Sequence, residues 1–104
     1  MSRDLKVFWT ENAIQDLLGI KTYIAQDSID RAGKWLMELY AAGENLSQLS
    51  GRGRIVPEFN QENLRELLIE NYRLVYRIKS TTVEIITVFE GHRQLKGRDL
   101  KNNG

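Results

Sequence analysis

Cysteine is missing from all 104 residues, which excludes disulfides and thiolate chemistry and makes a cytoplasmic setting the expectation. There is one histidine, His92, so the usual zinc-binding sets of several Cys and His cannot be assembled. A serine nucleophile would have to rely on that same histidine for its base, and no G-x-S-x-G surrounds a serine. No run of about 18 apolar residues occurs, so no membrane span is expected. The N-terminus, MSRDLKVFWT, has no hydrophobic signal region. Phosphate-binding and dinucleotide-binding glycine loops are also absent: GRGR is a basic glycine pair without the Lys-Ser/Thr ending. No cofactor is implied. Any chemistry falls to arginine, tyrosine, lysine or one histidine.

What is present is ordinary for one folded domain: 41% hydrophobic and 28% charged residues. The net charge is only +1, but it is unevenly spread. Residues 1–50 hold 5 Lys/Arg against 7 Asp/Glu, and residues 51–104 hold 10 against 7. Seven of the nine arginines lie in the second half. Arginine grips phosphate or carboxylate through two parallel hydrogen bonds, so that half can meet an anionic partner.

LKVFWT alternates and predicts a short first strand. Thr10 is placed to cap a helix from Glu11 to about Gln26, with Ile14, Leu17, Leu18 and Ile24 as its apolar stripe. Ser28 caps a second helix, with Asp30 in its first turn. Its stripe is Trp35, Leu39, Ala42, Leu46 and Leu49, widened by Leu36 and Tyr40, and the helix is expected to stop near LSGRG. Together they form an antiparallel helical hairpin, about 11–49. SGRGRIVPEF, with the only proline, reads as a loop or edge segment. YRLVYRIK and VEIITVFE read as strands by alternation; NLRELLIE is ambiguous, since Leu, Arg and Glu favour helix, and its neighbours tip it to a third strand, giving three over about 55–90, followed by a tail, 94–104. Val83, Ile85, Thr87 and Phe89 are expected to face one way, against Glu84, Ile86, Val88 and Glu90. The result is an α+β domain spanning 1–104, with helices on a small antiparallel sheet.

Arg73 and Arg77 share one strand face, and Arg93 follows the antiparallel neighbour. Pairing would bring Arg93 to Arg73, and Arg52 and Arg54 in the preceding loop could join them. The expectation is three to five guanidinium groups at one sheet end, suited to binding phosphate or stabilising negative charge. Solvated arginines on an open face are the bland alternative. His92 and Arg93, adjacent on an extended chain, would point to opposite sides. Trp35 and Tyr40 are candidates for a partner surface, although Trp35 sits on the inward stripe. A helix of a partner could lie in the helical groove, and an extended segment could add to a sheet edge.

The stretches WTENAIQDLLGIKTYIAQDSIDRA, GRGRIVPEF, LRELLIENYRLVYRI and VEIITVFEGHR resemble the toxins of the RelE/ParE superfamily, in order, from Val7 to Arg93. That resemblance implies the toxin half of a type II toxin–antitoxin module, of the kind found in plasmid stabilisation. It also implies a cognate antitoxin as partner and a toxin–antitoxin hetero-oligomer. RelE-like members cleave mRNA on the ribosome; ParE-like members inhibit DNA gyrase. Arg73 and Arg93 match the arginines of the nuclease branch, with His92 available for proton transfer. However, Leu64, Glu66 and Leu68 stand where basic residues are usual, and QLKGRDLKNNG has no tyrosine or histidine. Transesterification needs a base and an acid, and arginine does not give up its proton. VPEF and the F-x-x-x-R ending look closer to the ParE branch. The resemblance therefore favours a gyrase poison over an endoribonuclease, with an inactive antitoxin-binding relative as a third reading. It also suggests that Arg73→Ala or Arg93→Ala weakens activity more than folding.

Overall fold

Thr10 and Ser28 start the two helices as their side-chain chemistry requires. In the computed structural model, which describes residues 4–100, Thr10 Oγ1 accepts the amide of Ala13 and Ser28 Oγ that of Arg31, both at 3.1 Å. The element order is β1 (Lys6–Trp9), α1 (Glu11–Ala25), α2 (Ile29–Glu44), β2 (Arg54–Ile55), β3 (Leu64–Ile69), β4 (Tyr72–Ile78) and β5 (Thr82–Glu90). One five-stranded sheet runs β1-β5-β4-β3-β2. β1 pairs parallel to β5, and the other pairs are antiparallel, so the sheet is mixed rather than wholly antiparallel. The α+β architecture is the expected one.

The helices cover one sheet face. Ala13, Leu17, Ile24, Ala32, Trp35, Leu39 and Leu46 pack there against Leu67, Leu74, Tyr76, Val83, Ile85 and Val88. The inward stripe of α1 is therefore Ala13, Leu17 and Ile24, whereas Ile14 and Leu18 are exposed. The stripe is rotated from the expected one: Ala13, fully buried, takes the inward place expected of Ile14. α2 ends at Glu44, and the chain reaches β2 through two 3-10 turns, Asn45–Ser47 and Ser50–Arg52. Leu49 in that passage is exposed rather than inward.

The other sheet face has its own smaller core: Val56, Leu64, Val75, Ile86, Phe89 and Leu95, with Phe59 and Leu100 packed against them. The loop after β2 and the chain after β5 both fold back over the sheet to build it. The strict alternation expected of β5 fails at one residue. The β4–β5 register steps from Val75↔Thr87 to Tyr76↔Ile85, leaving Ile86 as the extra residue of a bulge. Val83 and Ile85 thus face the helices together with Val88, while Ile86 and Phe89 serve the second core.

β1 ends at Trp9, and side chains of the first helix take over its pairing. Thr10 Oγ1 (3.0 Å) and Asn12 Nδ2 (3.3 Å) donate to the Ile86 carbonyl. Asp16 Oδ2 accepts from Val88 N at 3.0 Å and from Thr87 Oγ1 at 2.6 Å. Partial burial pushes the Asp16 carboxyl up, an effect these two hydrogen bonds only partly offset.

Gly53 is where β2 enters the sheet. Its amide donates to the Tyr76 hydroxyl at 2.9 Å, and that hydroxyl donates to the Ser50 carbonyl at 2.7 Å. A Cβ here would stand 2.5 Å from the Glu66 carbonyl oxygen and 2.6 Å from the Tyr76 hydroxyl. The backbone oxygen cannot rotate away, so Gly53→Ala should cost about 1–3 kcal/mol, the usual cost of overpacking. Urea unfolding of the variant checks this, and an unchanged midpoint would contradict it.

Candidate functional site: the arginines of the second sheet face

Arg73 lies opposite Phe89 in the β4–β5 ladder, on the face away from the helices. It is almost fully buried, only 4% exposed. Its donors are taken by the protein itself. Nε donates to Glu66 Oε1 at 2.7 Å, and Nη2 lies 2.6 Å from the same oxygen. Nη1 and Nη2 reach Glu58 Oε2 (2.8 Å) and Oε1 (2.7 Å) as a two-bond fork. Nη1 also donates to the Arg93 carbonyl at 3.1 Å. Glu66 is itself fully buried, and its other oxygen accepts from Arg54 Nε at 2.5 Å. Glu58 Oε2 also accepts the amide of Leu95 at 2.8 Å, which ties the chain beyond β5 to the loop beyond β2. These hydrogen bonds, the Arg73 fork first among them, hold the Glu58 carboxyl down at about 2.

Arg93 does come to Arg73, as the antiparallel pairing predicted. Both guanidinium carbons lie over the Phe89 ring, 5.1 Å (Arg73) and 4.9 Å (Arg93) from its centroid. Arg93 is half-exposed and pairs with Asp99 in the last 3-10 turn, Gly97–Leu100. The open cluster of free guanidinium groups is not formed, however. Arg54 joins Arg73 only through the shared Glu66. Arg77 stands at the far end of β4, across from Glu84 at 3.8 Å. Arg52 is exposed on the turn before β2. His92 is 92% exposed with its Nε2 3.7 Å from Glu90, too far for a hydrogen bond. An open surface cavity of about 390 Å³ runs past Glu58, Arg73, His92 and Arg93.

Glu58 and Asp99 were not singled out from sequence, and Glu66 and Phe89 were named there only as strand residues, not as partners of the arginines. Glu66 could have been found. It shares its strand face with Leu64 and Leu68, and Leu68 lies directly across from Arg73. An acid on an inward face, one step diagonally from an arginine, is a pairing signal. Glu58 carried no such signal, because its position depends on how an irregular loop folds back.

Of the two proposed partner-surface residues, Trp35 is buried, edge-on to Tyr72 with ring centroids 5.2 Å apart. Tyr40 is half-exposed and stacks on Trp9 at 5.5 Å. Trp35 borders a groove of about 640 Å³ between the end of α1, α2 and the β3–β4 turn, together with Tyr23, Arg31 and Tyr72. Among the described residues, its buried indole N–H has no hydrogen-bond acceptor.

A family model described as the ParE toxin of type II toxin–antitoxin systems, parDE, matches residues 7–95. A curated relative, Toxin RelE2 of Caulobacter vibrioides, is 31% identical over 84 residues, covering 80% of this chain and 91% of its own length. Among solved structures, a chain of the chromosomal ParDE system from P. aeruginosa superposes with a TM-score of 0.69 at 21% identity, over 83% of this chain and 95% of its own. A chain of the RelBE2 toxin–antitoxin complex from Mycobacterium tuberculosis gives 0.53 at 24% identity, over 85% and 92%. At such identities the structural likeness speaks to the fold alone.

Proposed function

Because the chain belongs to the ParE toxin family of type II toxin–antitoxin systems, we propose that it arrests growth by binding and poisoning DNA gyrase in the cytoplasm, without cleaving RNA itself. The observation that carries this reading is the state of Arg73. An arginine that serves a cleavage reaction must present its donors to the reacting phosphate, and here two carboxylates and a carbonyl hold them. Proton transfer is equally short of candidates. Glu58 is ionised at any physiological pH, and His92 stands in solvent without an orienting partner. A binding toxin needs neither group.

The cognate antitoxin is the second partner. The groove beside Trp35 supports its docking there: Tyr23 and Tyr72 offer aromatic contact area beside the charged side chains of Arg31 and Lys34.

The test is a supercoiling assay with purified folded protein. Supercoiling should stop near stoichiometric toxin, and cleaved-DNA complexes should accumulate. Continued supercoiling at a large molar excess would reject the gyrase reading. Transcripts cut within codons in a translating extract would favour the ribosome-dependent endoribonuclease instead.

A further inference from the structure

β3 hands over to β4 through only two residues, Glu70 and Asn71. Glu70 takes a φ of 54°, the left-handed region where a tight hairpin favours glycine or asparagine. The glutamate therefore stands against the local backbone preference, and Asn71, which tolerates that region, comes one place too late. Nothing inside the fold accounts for the choice: among the described residues the Glu70 carboxylate forms no hydrogen bond or ion pair. It lines the groove of about 640 Å³ that also holds Tyr23 and Tyr72. The other charges of that groove offset one another. Arg31 faces Asp27 at 3.9 Å, and Lys34 is matched by Glu38, one turn further along α2. Glu70 is left over, and Glu90 adds to it from β5, directly across the ladder from Tyr72. The Tyr72 hydroxyl is pushed up by burial first, then by Glu90, Tyr23 and Glu70, with Arg31 opposing. The hairpin end of the groove is thus a negative rim beside two tyrosine rings. Aromatic faces and carboxylates attract the same kind of group, an ammonium or a guanidinium.

We propose that Glu70 is a recognition residue for the partner, receiving an arginine or lysine side chain of the antitoxin segment seated in this groove. This role rests on the reading that the antitoxin docks beside Trp35, and names one anchor of that contact. In the free toxin the Glu70 carboxylate is exposed and solvated. In the complex a basic side chain lies along Tyr23 and Tyr72, with its charge between Glu70 and Glu90. The backbone cost at the turn is kept because glycine, the residue that would relieve it, has no carboxylate to offer.

The experiment is a calorimetric titration of the full chain with the cognate antitoxin, beside thermal unfolding of each toxin variant. Glu70→Gly should melt within a few degrees of wild type, because the turn accepts glycine, yet bind the antitoxin at least roughly fivefold more weakly. Glu70→Asn also suits the turn without the charge; it should behave the same, and serves if Glu70→Gly does not fold. Glu70→Lys should weaken binding further. One Arg→Glu or Lys→Glu substitution in a folded antitoxin should then restore affinity to Glu70→Lys and to no other toxin variant. Tyr23→Ala should weaken binding through lost contact area alone. Glu70→Gly or Glu70→Asn binding as tightly as wild type overturns the proposal, as does failure of every antitoxin charge reversal to rescue Glu70→Lys. In either case, a loss with Tyr23→Ala leaves the docking reading standing and removes only the anchor. Unchanged affinity in Tyr23→Ala and Glu70→Gly alike removes both.

Discussion

Arg73→Ala should destabilise the fold strongly rather than merely silence the protein. The substitution leaves Glu66 buried with only Arg54 beside it, and takes from Glu58 the fork that holds its loop in place. Removing one partner from a buried ion pair costs about 3–5 kcal/mol, because the remaining charge stays desolvated. For a chain of this length that corresponds to a fall of roughly 15–30 °C in Tm. It is also a large share of the about 5–15 kcal/mol that holds a typical domain folded. Arg93→Ala removes a half-exposed group paired with Asp99 and should cost about 1 kcal/mol or less. Adding Glu66→Gln to Arg73→Ala should restore part of the loss, since the stranded charge goes with it. Thermal unfolding by circular dichroism measures all three. A Tm for Arg73→Ala within a few degrees of wild type would show that the buried network is worth little. The buried network thus predicts the opposite of the sequence-based expectation for Arg73, in which activity is lost before folding. Loss of toxicity on substituting it says nothing about a site until the folded fraction is known.

Acid should unlock the same network. The folded Glu58 carboxyl titrates at about 2, against its ordinary 4.5. A carboxyl depressed in the folded state contributes stability that is fully present above its unfolded value and is lost as pH falls through the folded value. The window is therefore pH 4.5 down to about 2. Asp16 works in the opposite sense: its carboxyl is raised, so protonation on acidification favours the folded state and offsets part of the loss. Glu58→Gln, followed by urea unfolding across that range, should flatten the acid limb and lower stability at neutral pH. An acid limb as steep as that of wild type would place the titrating group elsewhere.

The strands β4 and β5 were legible in the sequence because their apolar residues alternate, whereas β3, helix-favouring by composition, was legible only from those neighbours. Tyr72, Leu74, Tyr76 and Ile78 all face the helices, and β3, β4 and β5 fall where the pattern put them. Alternation cannot register a bulge, since one inserted residue looks like any other until its partner strand is known. Hence Val88 and Phe89 were each assigned to the wrong face. The arginines were legible as a group but not in their state. Arg73 and Arg93 meet because antiparallel pairing requires it. Whether a guanidinium is free or buried depends on its counter-charges, and Glu58 arrives from an irregular loop whose path the periodicity does not describe. Trp35 shows the same limit: its helical spacing predicted burial, but only the packed structure shows the indole N–H left without an acceptor.

The hydrogen bonds from the start of α1 to β5 also bear on how the molecule avoids fibres. Above Trp9 the outer edge of β5 would otherwise be an open template for another chain. Thr10, Asn12 and Asp16 occupy it with side chains, and side chains offer no ladder of their own to copy. Strand-by-strand growth along that stretch of β5 is blocked without a sixth strand. Among the described residues, it is left to the short outer edges of β1 and β2 and to Leu67–Ile69 of β3, beyond the two-residue β2. Substitutions that weaken the α1 contacts should therefore show first as insolubility at high concentration, ahead of any loss of helix content.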